Sequence, residues 1–345
     1  MADFATITRR AFLVAPLAIA ACRFDRRVVE FSGSTMGTYY KVTAVDLPFG
    51  VHQSEIQADI ESSLAKVNQH LSNWDKNSEI SQLNASESVE DLTMSPMLAK
   101  VMGAAARINE QSLGRFDTTI TPLIEAWGFG ANGSIGKRPS NTTIANAMAI
   151  SGHQQSLQIT ESKLRKKVPQ AQVFLSAIGK GFGADEIGNA LKDRGVENFL
   201  IEIGGDLYAS GRNEKGVPWL VGVETPHLSK GGVIDVVGLS NLGMASSGDY
   251  RNYFEQDGVR YAHVIDPISG EPIKHHTASA TVLAENGMLA DAWATAMMTI
   301  GSEEGMAIAD KNNIAVMFID RDYESASPRF KVVKNERFQY LQGSV

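Results

Sequence analysis

Two side chains four residues apart, Asp291 and Thr295, lie in the run Ala290-Asp291-Ala292-Trp293-Ala294-Thr295. On a helix, residues at that spacing share a face, so the carboxylate and the hydroxyl can address one ion. Oxygen ligands of this kind suit a hard cation such as magnesium, completed by carbonyls, water or a substrate phosphate. On spacing alone the commoner meaning is an acidic residue near a helix start, favoured by the macrodipole. His263, in His263-Val264-Ile265-Asp266-Pro267, closes a strand and has the chemistry of a general base near neutral pH. His275 and His276 follow, but there is no His-x-x-x-His pair on a helical pattern and the chain's one cysteine is Cys22, so zinc is not expected. Three glycine-bearing segments, Ser32 to Thr38, Ile203-Gly204-Gly205-Asp206 and Ser246 to Tyr253, offer backbone amides of the sort that hold phosphates. None fits a P-loop or a dinucleotide fingerprint, and each taken singly reads as a tight turn. Trp74 and Phe116 have the shape to flank a flat heteroaromatic ring, although an aromatic is more often core.

The elements that must position these groups follow from periodicity. Thr38 to Val45 alternates, with Tyr40, Val42 and Ala44 on one face, which predicts a half-buried strand. Ile56, Ile60, Leu64, Val67 and Leu71 recur at helical spacing. Ser95-Pro96 opens a second helix carrying Leu98, Val101, Ala105 and Ile108 inward. Gly130 to Thr143 reads as an exposed loop. Beyond Gln172, strands are expected at Val173 to Leu175, Phe199 to Ile203, Trp219 to Val223, Val233 to Val237, Tyr261 to Ile265, Ser279 to Leu283 and Ile314 to Ile319. Helices at about Gly181 to Arg194 and Ala290 to Ile300 interrupt them. This order indicates an α+β fold, mostly antiparallel sheet with packed helices.

The whole chain, 345 residues with 43% hydrophobic and 21% charged, has ordinary globular composition. A net charge of -7 argues against a nucleic-acid partner, which calls for a basic face. With one cysteine, no intramolecular disulfide is possible. The N-terminus reads as an address: Arg9-Arg10 precede Phe12-Leu13, and Ala11 to Ala21 holds no charge. That is an export signal too short to span a membrane, with the twin arginine of the Tat route. Ile19-Ala20-Ala21-Cys22 resembles a lipobox, which would place an acylated Cys22 at a membrane surface. The alternative is an ordinary cleaved signal. The expected organisation is therefore a signal over residues 1–22 and one domain over residues 23–345.

Eight strings in register resemble the ApbE family of FAD:protein FMN transferases. They are Thr35-Met36-Gly37-Thr38; Leu71-Ser72-Asn73-Trp74 with Ser78-Glu79-Ile80; Phe116-Asp117-Thr118-Thr119 with Pro122-Leu123; and Ser176-Ala177-Ile178-Gly179-Lys180-Gly181. The others are Gly204-Gly205-Asp206, Ser247 to Tyr253, His263 to Pro267, and Ala290-Asp291-Ala292. The resemblance implies a T-fold-like α+β domain that binds FAD as substrate in a cleft. It implies FAD contacts from Met36, Trp74, Arg115, Phe116, Asp117, Lys180 and Ile265. It also implies magnesium held by Asp291, Thr295 and the backbone carbonyl of Ala177. The implied reaction is transfer of FMN from FAD to a Ser or Thr hydroxyl of an acceptor flavoprotein subunit, forming a phosphoester and releasing AMP. His263 is then the expected base and Asp249 its helper. Family acceptors carry a short Asp-x-x-Ser/Thr-Gly-Ala-type motif. Phe174 departs from the pattern, since an aspartate usually stands directly before Leu-Ser. Two other functions fit the same residues: an FAD pyrophosphatase using water, and a non-catalytic exported accessory factor for a respiratory complex such as that of nitrous-oxide reduction.

Overall fold

The computed structural model describes residues 26–130, 136–227, 231–322 and 329–342. The signal segment and Cys22 lie outside the described residues. The centre is an eight-stranded sheet whose neighbours are all antiparallel and whose spatial order follows the chain. Its strands are Val28–Thr35, Thr38–Val45, Asn198–Ile203, Asp206–Ser210, Leu242–Gly248, Thr277–Ala284, Ala315–Asp322 and Arg329–Lys334.

Both faces of this sheet are covered, and strand alternation shows it. In the sixth and seventh strands, Ala280, Val282, Val316 and Phe318 face one layer, while Leu283, Ala315, Met317 and Ile319 face the other. The first layer is helical. It contains Gln53–Leu71, which buries the five expected apolar residues, and Pro96–Gln111, capped by the Ser95 hydroxyl. Gly179–Asp193 and Gly287–Ile300 complete it against the sheet. The second layer is a separate hairpin, Trp219–Glu224 with Val233–Leu239, and the helix Glu336–Leu341.

Several expectations needed correction. Ser32 to Thr38, read as a tight turn, is mostly strand: it ends Val28–Thr35 and turns into Thr38–Val45. Met36 and Gly37 both have positive φ, 50° and 72°, which gives a two-residue hairpin its required twist. Gly204 and Gly205 repeat the device between Ile203 and Asp206. Val173 to Leu175 is extended but is not a strand, because side-chain amides stand in for a neighbouring strand. The Asn84 amide both accepts from Val173 N–H at 2.7 Å and donates to its carbonyl at 2.8 Å. Asn73 donates to the Val173 carbonyl at 2.7 Å and accepts from Leu175 N–H at 2.9 Å. The expected loop at Gly130 to Thr143 ends early, since Ser140 caps a helix over Asn141–Ala149. Tyr261 to Ile265 is two strands, Val259–Ala262 and Ile265–Asp266, with His263 at the break.

Candidate active site

The helices Gly179–Asp193 and Gly287–Ile300 touch backbone to backbone. A Cβ at Gly181 would lie 2.1 Å from the Gly287 carbonyl oxygen, so glycine is required there. Asp185 on the first helix fixes the start of the second, accepting from Gly287 N–H at 2.7 Å and Met288 N–H at 2.9 Å. Burial pushes the Asp185 carboxyl up to about 6, with those two N–H groups and Lys100 pulling the other way. One turn further on, Asp291 is buried and accepts from Gly181 N–H at 3.1 Å. The true helix cap is Asn286, so Asp291 is an interior helical residue facing the neighbouring helix rather than a capping acid.

Around Asp291 the structure gathers a compact charged group. Lys180 Nζ lies 2.5 Å from Asp206 Oδ2 and 3.6 Å from Asp291 Oδ1. Asp206 is placed by the Gly204-Gly205 turn directly before it. Burial first, and then the Asp291 charge, push the Asp206 carboxyl up to about 8, with Lys180 opposing. Burial alone would lower Lys180, but the charges of Asp291 and Asp206 raise it. Two buried carboxylates thus crowd one lysine, and a divalent cation beside them would favour the ionised form of both. Thr295 Oγ1 is 3.3 Å from Ser247 Oγ, and Thr295, Ser247, Asp291 and Ala177 line one cavity. Among the described residues no three His, Cys, Asp or Glu side chains converge on a metal position. A hard cation here would take hydroxyls, a carbonyl and substrate oxygens besides carboxylate, as magnesium does. The donor set fits.

That cavity measures about 820 Å³, within the usual range for a ligand site. It is lined by Arg115, Phe116, Asp117, Lys180, His263 and Ile265 among others. His263 Nδ1 is 3.0 Å from the Asn252 carbonyl oxygen. A carbonyl can only accept, so in the neutral ring Nδ1 carries the proton and Nε2 keeps the lone pair. Burial lowers the His263 pKa; the Asn252 bond and Asp249 raise it in part, and Arg260 lowers it further. The shift favours the neutral imidazole.

The remaining expected residues fall elsewhere. Met36 and Trp74 line a smaller pocket of about 110 Å³, which shares Phe174, Ser176 and Lys180 with the large cavity. Trp74 and Phe116 therefore do not flank one slot. Phe116 is buried in the core beneath the cavity, and the ring facing Trp74 is Phe174, edge-on at 6.5 Å. The Asp117 carboxylate ties its own loop to a distant segment, accepting from Thr119 N–H and hydroxyl and from the backbone N–H of His153. Asp249 is not on the cavity wall. Its carboxylate is buried between Arg321 and Arg260, so it is a positioning residue rather than a proton acceptor. Sequence reasoning gave no role to Asp206, Ser247 or Arg321. Asp206 carried a signal, an acid directly after a Gly-Gly turn; Arg321 carried none, since it lies 72 residues from its partner.

The model of the ApbE family matches residues 36–318. The chain belongs to the ApbE family. It is 38% identical over 323 residues to the FAD:protein FMN transferase of Vibrio cholerae serotype O1, covering 92% of this chain and 96% of the relative. It is 40% identical over 311 residues to that of Haemophilus influenzae, covering 88% and 90%. Among solved structures it resembles the flavin transferase ApbE from Vibrio cholerae, with a TM-score of 0.83 and 35% identity over 92% of this chain and 99% of the other. The apo form of Pseudomonas stutzeri flavinyl transferase ApbE matches with the same TM-score and identity, over 93% and 99%. The mixed helical and antiparallel architecture is thus that of ApbE structures.

Proposed function

We propose that the large cavity is where FMN is moved from FAD to an acceptor protein through a phosphoester bond. The enzyme is an FAD:protein FMN transferase, as its family membership and relatives indicate. The observation that carries the chemistry is that His263, its Nδ1 bonded to the Asn252 carbonyl, lines the same cavity as two buried carboxylates and a lysine. A Ser or Thr hydroxyl of the acceptor attacks the FMN-side phosphorus of FAD while His263 Nε2 takes its proton. The bond from that phosphorus to the bridging oxygen breaks, and AMP leaves with the oxygen. Magnesium, held by Asp291, Thr295 and the Ala177 carbonyl, supplies charge neutralisation on the diphosphate when bound. Lys180 keeps its positive charge beside the same carboxylates and is aimed at phosphate oxygens. Arg115 and the backbone of Phe116 and Asp117, with Ile265, form the wall that orients the dinucleotide. Met36 and Trp74 extend that wall into the annex. The flavin is cargo, so no redox step is asked of this protein.

Purified protein incubated with FAD, magnesium and a carrier protein bearing an Asp-x-x-Thr-Gly-Ala segment should yield a covalently fluorescent carrier band in a denaturing gel. Fast FMN release with an unlabelled carrier would instead identify an FAD pyrophosphatase. Binding of FAD without either product would leave an accessory flavoprotein. The N-terminal residues extend the proposal: Arg9-Arg10 direct export in the folded state, and Cys22 holds the enzyme to the periplasmic side of the inner membrane through a lipid.

A further inference from the structure

The hairpin Trp219–Glu224 with Val233–Leu239 forms a two-stranded sheet of its own. It is held rigidly. Trp219, Val223, Val237 and Leu239 are buried in the second layer, and the Trp219 indole donates to the Ser210 carbonyl at 3.0 Å. Its two edges are treated differently. On the Val233–Leu239 side, Gly238 N–H donates to the Gln342 carbonyl at 2.9 Å and Val236 N–H to the Asp235 carboxylate at 2.8 Å. Both groups therefore point away from the partner strand. In an antiparallel ladder the residues opposite them, Leu220 and Gly222, must also point their N–H and C=O away. Those groups find no partner among the described residues, and both residues are exposed.

The Gly222 end of this open edge borders the active-site cavity, and Leu220 lies just outside its lining. Val221, Gly222, Val223 and Glu224 all line it, although alternate side chains of a strand point to opposite faces. Four consecutive residues can border one cavity only if the strand presents its edge. Natural edges are usually blunted by charge, proline or a covering element, and the outer edge of this hairpin is covered in that way. The inner edge is uncovered at Leu220 and Gly222 and is closed beyond them, where the Glu224 carboxylate accepts from the Tyr250 hydroxyl and from Arg251; Val233 and Val236 of the other strand add exposed apolar side chains.

We propose that the acceptor protein docks here by adding an extended segment as a third strand along Leu220–Gly222, which feeds its hydroxyl residue into the cavity toward His263. Alternating outward N–H and C=O groups are complemented by another extended backbone, and main-chain pairing of this kind tolerates different acceptor side chains. The inference rests on the transferase reading, which already requires a protein chain to enter this cavity.

The test is acceptor-dependent kinetics with the carrier bearing the Asp-x-x-Thr-Gly-Ala segment. Leu220→Pro removes one outward N–H without removing a ladder bond within the hairpin, and Leu220→Lys places a charge on the exposed edge without touching the backbone. Leu220→Pro should raise KM for the carrier up to roughly tenfold, the loss expected for one backbone bond, and Leu220→Lys should raise it by blunting the edge with a charge. FAD affinity, measured by quenching of flavin fluorescence, should stay unchanged. If wild-type enzyme fails to label the carrier, the transferase reading itself is wrong. If wild type labels it and both variants keep the wild-type KM, the docking edge is refuted. Weakened FAD binding with unchanged KM for the carrier would refute it too, by making the edge part of the FAD site.

Discussion

At the scale of single residues, burial and charge set opposite protonation preferences within one cavity. Burial favours the neutral form of His263, while Lys180 keeps its proton between two carboxylates. His263→Ala should lower kcat by ~100- to 10,000-fold, the usual contribution of a general base, with little change in FAD affinity. The sign of the pH dependence follows from the lowered pKa. The active form is neutral, so as pH falls activity should persist below the ordinary histidine value of 6.5 and be lost through the lower value of the folded enzyme. A pH profile of kcat over KM for FAD with an acid limb above 6.5 would contradict this. His263, Asp291, Thr295 and Lys180, which line one cavity, stood in recognisable strings of chemistry-bearing residues. The roles of Asp206 and Arg321 were not legible in the sequence, because charge pairing across strands leaves no local pattern.

At the scale of elements, two glycines and two asparagines matter more than the apolar periodicity that located the helices. Gly181 lets two helices meet, and Asp291 bridges them. Gly181→Ala should cost ~3 kcal/mol or more, because the added Cβ meets backbone that cannot rotate away. Urea unfolding would show it as a lower midpoint, and an unchanged midpoint would mean the helices are not in contact there. Asn73 and Asn84 explain why Val173 to Leu175, apolar enough to be read as a strand, is none. Their amides take over the strand's hydrogen bonds and turn Phe174 toward Trp74. No periodicity argument detects an amide acting as a strand. The strand break at His263 was equally invisible, since Tyr261 to Ile265 has suitable residue types throughout.

At the scale of the whole molecule, a sheet that runs in chain order receives its site residues from insertions between consecutive strands. The segment between Val45 and Asn198 brings Trp74, Arg115 to Asp117 and Lys180; the one between Gly248 and Thr277 brings His263. Among the described residues no helix is long and apolar enough to cross a membrane. The proposed lipid on Cys22 is tested by a Cys22→Ser form, which should move from the membrane pellet to the soluble fraction; continued pelleting would exclude the lipid anchor. The central claim is that Asp291 organises the reacting diphosphate. Asp291→Asn keeps an acceptor for Gly181 N–H and so spares the helix pair, while removing the charge that a cation needs. The decisive measurement is in-gel flavin fluorescence of the carrier after incubation with FAD and magnesium, comparing Asp291→Asn with wild type. The account expects a band from wild type and none from the variant. A band of equal brightness from both would contradict it.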